Sequence, residues 1–227
     1  FINNLNNLLN NKNTTLFEKS LINYIFSKIK KKENKLIEEI SYLNLSHKQC
    51  YNSKYNFNLQ SDFYYKEIIG KHYNRIKFEN EINKKEKLSS FNPIFIIGLP
   101  RSGSTLVESM ISKSDEKIKT FGEFHVINMS IFDEIGPKIY SNNYNEKDFK
   151  FKMNLRNIQN SLLERYGKIQ NKIFIDKSLE NFFNIDIILK IFPNAKFLHT
   201  YRNSNDAIIG IHQSMLTDLS WSHDINK

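Results

Sequence analysis

The feature that most constrains this chain is a single stretch, Ile94-Phe-Ile-Ile-Gly98 followed by Leu-Pro-Arg-Ser-Gly-Ser-Thr105. Four apolar residues in a row, ended by glycine, are too short for a helix. They suit a central parallel strand buried on both faces. Leu106, Val107, Met110 and Ile111 then recur at helical spacing. Gly98 and Gly103 stand in the G-x-x-x-x-G spacing, and small residues there let successive backbone N–H groups turn inward as an anion-binding nest. The start of the following helix adds its positive end, and Ser104 and Thr105 add hydroxyl donors. The lysine that follows the second glycine in nucleotide-triphosphatase loops is replaced by Ser104. The cation is Arg101, inside the loop, whose planar fork of donors suits a tetrahedral anion.

More α/β texture follows. Lys172–Ile175 and Lys196–Thr200 read as strands, with a helix over 179–192 between them, ended by Pro193-Asn194. A further helix is expected from Ser204, with Asp206 in its first turn. Strand–helix–strand order predicts a parallel α/β sheet flanked by helices. Before residue 89 the texture differs: there is no proline, Gly70 is the only glycine, and apolar residues recur at helical spacing from Leu16 to Leu43 and again from Phe63 to Ile76. Two parts are therefore expected, an all-helical segment at 1–88 and a P-loop-type α/β domain at 89–227.

The net charge of +9 favours anionic partners. The runs Lys28–Lys32 and Lys84–Lys87 are expected on solvated helix faces. Cys50 is the one cysteine, so no intrachain disulfide forms. No apolar run approaches the ~20 residues of a membrane helix, and residues 1–15 lack a signal-peptide pattern. A soluble, cytoplasmic protein without a nucleic-acid partner is expected. The six histidines are scattered, and no metal site is expected. The chain begins at Phe1 rather than Met, and a fragment is expected.

The segment PIFIIGLPRSGSTLVESMIS resembles the 5′-phosphosulfate loop of sulfotransferases. It is most similar to the branch that carries tetratricopeptide helices before the catalytic domain, related to tyrosylprotein sulfotransferases. Phe121-Gly-Glu-Phe124 resembles the Gly-Glu segment of that family. Asp176-Lys-Ser-Leu-Glu-Asn-Phe182 resembles its Asp-Lys-x-x-x-Asn-Phe segment, and Phe192–Arg202 resembles the strand leading to its 3′-phosphate arginine. Tyr42–Lys48 is similar to the last helix pair before such domains, which implies that 1–88 is tetratricopeptide-like.

The resemblance implies a 3′-phosphoadenosine 5′-phosphosulfate donor, no metal, and in-line transfer of the sulfuryl group to an acceptor hydroxyl on a protein, a carbohydrate or a small molecule. Arg101 and the backbone of Ser102, Gly103, Ser104 and Thr105 would hold the phosphosulfate. Glu123 would be the general base, although Phe124 stands where the tyrosylprotein enzymes carry a second Glu. Lys177 would stabilise the leaving oxygen, with Asp176 orienting it, and Arg202 would bind the 3′-phosphate. Gly210 stands where a serine usually shares that phosphate, so one hydroxyl contact is missing. The family's domain also continues beyond the point where this chain stops. The residues alone leave two other readings, a P-loop nucleotide kinase or triphosphatase, and a non-catalytic helical interaction protein with a degenerate sulfotransferase domain. His199 and His212 are expected to be packing or surface residues.

Overall fold

A computed structural model describes residues 1–67, 77–78, 82, 88–139, 152–167 and 172–223. The helices in chain order are α1 (Ile2–Asn10), α2 (Leu16–Lys32), α3 (Leu36–Ser53), α4 (Tyr55–Phe63), α5 (Ser104–Ser114), α6 (Val126–Ile139), α7 (Leu155–Tyr166), α8 (Ile185–Ile191) and α9 (Ser204–His212). The strands are β1 (Lys77–Phe78), β2 (Ile94–Gly98), β3 (Lys119–Thr120), β4 (Lys152–Met153), β5 (Phe174–Asp176) and β6 (Lys196–Thr200). The chain divides into two units, one of Phe1–Gly70 with Ser204–Lys227 and one of Lys71–Asn203. The lysine run at 84–87 and residues 68–76 of the second helical pattern lie outside the described residues.

The first unit is helical. Thr15 caps α2 reciprocally: its hydroxyl accepts from Glu18 N at 3.2 Å, and its own N–H donates to Glu18 Oε2 at 2.7 Å. This satisfies two N–H groups that the helix itself leaves open. Asn34, at φ +57°, turns the chain into α3, a left-handed conformation that asparagine tolerates. The two helices pack along each other, with the Phe26 and Tyr42 rings 5.3 Å apart and Ser46 Oγ donating to the Ser20 carbonyl at 2.7 Å. Leu5 of α1 joins Ile22 and Phe26 in the core.

The chain's last described stretch packs on the same helices. Tyr24 Oη and Lys28 Nζ both donate to the carbonyl of Gln213, just past the end of α9, at 3.1 and 2.7 Å. Lys31 Nζ donates to Gln213 Oε1 at 3.0 Å. Lys28 and Lys31 thus do more than solvate a helix face, because cations are favoured where helix carbonyls end. His47 lies between two other histidines. Its Nε2 is 2.7 Å from the His212 carbonyl, and its Nδ1 is 3.0 Å from His223 Nδ1.

The second unit is α/β. Its main sheet has the order β3-β5-β2-β6, and every pairing is parallel. The Phe95 ring of β2 lies against Phe174 of β5 and Phe192, all three fully buried. The apolar run at 94–97 is therefore one of the sheet's two inner strands, as expected. β6 spans its expected residues. β5 begins two residues later than expected, at Phe174, and Lys172 instead accepts at its carbonyl from Asn92 N. The helix expected over 179–192 is split: Leu179–Asn184 is a 3-10 turn, and α8 follows it. Asn181 explains the break, since its amide is drawn back to Asp176 Oδ1 at 3.1 Å. β1 and β4 pair in parallel as a separate ribbon. Among the described residues no helix is long and apolar enough to cross a membrane.

Candidate active site at the strand ends

The four strands of the main sheet run in one direction, so their C-terminal ends share an edge. In open α/β sheets ligands gather there. Each strand delivers one group of the expected residues to that edge. β2 leads into Gly98–Thr105, β5 into Lys177, β3 into Glu123 and β6 into Arg202.

The loop after β2 is shaped by its backbone. Gly98 pairs with Thr200 of β6, at φ +141°. A Cβ there would lie 2.5 Å from the Thr200 carbonyl oxygen and 2.9 Å from its Oγ1, so only glycine fits. Ser102 Oγ donates to the Leu99 carbonyl at 2.7 Å and lies within hydrogen-bond distance, 2.7 Å, of Thr200 Oγ1. Its hydroxyl therefore tethers the loop to β6. Arg101 takes φ +67°, a conformation uncommon for a side-chain-bearing residue. Gly103, at φ +95°, is the N-cap of α5 and brings no side chain to its first turn. The leading N–H groups of a helix lack intrahelical acceptors, so those of Ser104 and Thr105 are placed to meet an anion. Space above Gly103 is open: among the described residues, no atom beyond its chain neighbours lies within 4 Å of where a Cβ would stand. Ser104 is buried, whereas Arg101 and Thr105 are exposed.

Lys177 and Glu123 meet because the ladder between β3 and β5 runs on past the strands. Phe121 N donates to the Ile175 carbonyl and Lys177 N to the Gly122 carbonyl, both at 2.9 Å. Gly122 then turns with φ +60°. Lys177 Nζ lies 2.5 Å from Glu123 Oε1 and 3.8 Å from Glu108 Oε2. The lysine side chain is 6% exposed and Glu123 is 55% exposed. Asp176 is fully buried and faces elsewhere. Its carboxylate accepts from Tyr166 Oη at 2.6 Å, Ser178 N at 2.8 Å and Asn181 Nδ2 at 3.1 Å. Burial pushes its pKa up, against those hydrogen bonds, and pushes the Tyr166 phenol well up too. Asp176 thus anchors the turn that carries Lys177.

Arg202 follows β6 by two residues, and its Nη1 reaches the Arg101 carbonyl at 3.5 Å. The two arginines therefore share one neighbourhood. Gly210 lies in α9, in the helical unit, where its carbonyl accepts from Ser214 Oγ. His199 is exposed beside Tyr201, and His212 is stacked on His47.

Two features of the site escaped the sequence reading. Glu108, on α5, turns toward Lys177, and its Oε1 accepts from Thr120 Oγ1. Its position five residues past the N-cap of the loop helix is the signal that was available. The second is His125, held at φ +53°, with its N–H donating to Ser178 Oγ at 2.8 Å. Its Nδ1 bonds the Glu180 carboxylate, and that bond raises the imidazole pKa.

A family model described as the sulfotransferase family matches residues 93–226. An uncharacterized protein of Aquifex aeolicus (strain VF5) is 31% identical over 134 residues, covering 55% of this chain. The chain spans 17% of the length of that curated relative. No solved structure matches. The family match starts at the residue before β2 and takes in the arginine loop, Glu123, Lys177 and Arg202, so this chain belongs to the sulfotransferase family.

Proposed function

We propose that the protein moves a sulfuryl group from 3′-phosphoadenosine 5′-phosphosulfate to an acceptor hydroxyl by in-line transfer, with Glu123 as general base. The observation that carries this reading is the Lys177–Glu123 pair, 2.5 Å apart, on the sheet edge that also bears the Arg101 loop.

The loop suits such a donor: an uncapped helix start, open space above Gly103 and a cation inside the turn form a cradle for a tetrahedral anion. The bound donor supplies an activated sulfuryl group and a stable bisphosphate leaving group. The N–H groups of Ser102 to Thr105 and the Arg101 guanidinium hold its phosphosulfate, so the loop serves as a P-loop. Arg202 holds the 3′-phosphate, and Gly210 brings no hydroxyl to it.

Glu123 takes the proton of the acceptor hydroxyl as the new O–S bond forms. Accepting that proton neutralises the carboxylate. The Lys177 ammonium then loses its closest counter-charge as negative charge grows on the bridging oxygen of the leaving phosphate. A fixed cation aimed at developing charge is an effective form of stabilisation. No metal is required for these steps. The helical segment, with α2 and α3 as a packed pair, is tetratricopeptide-like and suits presentation of a protein or carbohydrate acceptor.

The test is transfer of labelled sulfate by the full-length protein, in parallel with Arg101→Ala and Lys177→Ala. A loss of ~100-fold or more in kcat is expected for each, the scale of removing one charge-stabilising donor. Unchanged transfer in both variants would reject these roles. The bisphosphate product should also raise the thermal midpoint, because it binds the native state. No shift favours a degenerate, non-catalytic domain, and tight magnesium-dependent ATP binding instead favours a nucleotide kinase.

A further inference from the structure

Lys177 has two carboxylate neighbours in unlike surroundings. Glu123 lies 2.5 Å away and is 55% exposed, whereas Glu108 lies 3.8 Å away and is 12% exposed. Glu108 is also tied down, since its Oε1 accepts from Thr120 Oγ1 and leaves Oε2 toward the lysine. One carboxylate is thus placed to reach solvent and an incoming group, and the other is held in place.

A general base must leave its resting partner to meet the acceptor, and it is neutral once it has taken a proton. A buried ammonium abandoned in this way is costly, and it retracts or reorients unless another counter-charge remains. We propose that Glu108 is a positioning residue that keeps the Lys177 ammonium in place while Glu123 is engaged with the acceptor. The inference rests on the role proposed for Lys177. It also links the donor loop to the lysine, because Glu108 belongs to α5, whose first turn forms part of the anion cradle. Thr120, at the end of β3, sets the orientation of Glu108 and connects it to the strand that leads to Glu123.

The test is a double-mutant cycle on sulfate transfer by the full-length protein, with thermal midpoints confirming that each variant folds. Glu108→Gln keeps the side-chain volume and an acceptor for Thr120 but removes the charge. Its kcat should fall ~10-fold with the acceptor KM within twofold of the parent, the signature of an interaction lost only in the transition state. In the Lys177→Ala background the same change should cost less than twofold, because a residue acting through another shows coupling with it. Thr120→Val, a milder change, should lower kcat by a few-fold and likewise lose its effect without Lys177. It serves as the deciding variant if Glu108→Gln does not fold.

A tenfold loss that persists in the Lys177→Ala background assigns Glu108 a structural role and overturns the inference. So does Glu108→Gln at the parental rate beside an impaired Lys177→Ala, which leaves the sulfotransferase reading intact. Lys177→Ala at the parental rate overturns the inference together with the role proposed for Lys177, while the transfer itself still supports a sulfotransferase.

Discussion

Glu123 Oε1 and Lys177 Nζ stand 2.5 Å apart, and the backbone bond from Lys177 N to the Gly122 carbonyl at 2.9 Å is what brings them together. The two residues are 54 apart in sequence. In the mechanism proposed above, a base and a charge stabiliser are thereby coupled, and each would alter the other's partner as it works.

Glu123→Gln should lower kcat by roughly 10²–10⁴-fold, the usual worth of a positioned base. Binding of the bisphosphate product, read as a rise in thermal midpoint, should be unchanged. Loss of that rise together with activity would move Glu123 from proton transfer to donor binding.

Gly98→Ala should destabilise the second unit. Its new methyl would sit 2.5 Å from a backbone oxygen on β6, which cannot swing aside as a side-chain tip could. Overpacking of this kind costs ~1–3 kcal/mol. Urea unfolding would read it, and an unchanged midpoint would show that the strands separate more easily than their pairing implies.

Arg101→Gly should split stability from activity. The left-handed φ of +67° is strained for arginine and relaxed for glycine. Stability should therefore hold or rise by up to ~1 kcal/mol, while sulfate transfer falls ~100-fold with loss of the guanidinium. A variant that is both less stable and inactive would mean that the arginine side chain holds the loop.

The histidine trio of the helical unit should make folding sensitive to acid. Since a carbonyl can only accept, His47 Nε2–H donates to His212, and neutral His47 then accepts at Nδ1 from His223. Burial lowers the pKa of His47 and His212, and lowers that of His223 from 6.5 to about 4. Groups depressed in the folded state bind protons more readily when unfolded. Their contribution is thus whole above pH 6.5 and is lost as the pH falls toward 4. The thermal midpoint should drop across that window, and less so in His223→Gln. An equal drop in the variant would place the sensitivity elsewhere.

His125 carries the opposite sign. Its bond to Glu180 raises its pKa above 6.5, so its contribution to stability is present below 6.5 and fades as the pH rises through the folded value. In Glu180→Gln its titration, followed by NMR, should move to lower pH. An unmoved midpoint would show that another group sets it.

Part of the α/β frame can be read from the residues. Ile94–Gly98 is an apolar run bounded by Pro93 and its own glycine, Lys196–Thr200 follows the helix-ending Pro193-Asn194, and α9 begins at Ser204. β3 could not be read, since two residues carry no period and Lys119 and Thr120 are both exposed. The start of β5 was misplaced because Ile173 is apolar yet 41% exposed and lies outside the strand. The split of the 179–192 helix follows from one side-chain hydrogen bond, between Asn181 and Asp176, which no apolar pattern reveals. The residues read as site groups stood next to strand ends in sequence, and strand ends are what a parallel sheet gathers. Glu108 and His125 were missed because what places them is contact with neighbours in space, Lys177 and Glu180.

The tether between Ser102 and Thr200 also bears on how fast the loop can be filled. Three of the six residues from Gly98 to Gly103 hold left-handed backbone angles, and the chain's own contacts with β6 keep them there. Little conformational freedom remains for an arriving anion to remove, so capture should be limited by encounter more than by rearrangement. With the proposed donor, a cradle of that kind would hold substrate and spent product alike, and turnover would then wait on release of the bisphosphate.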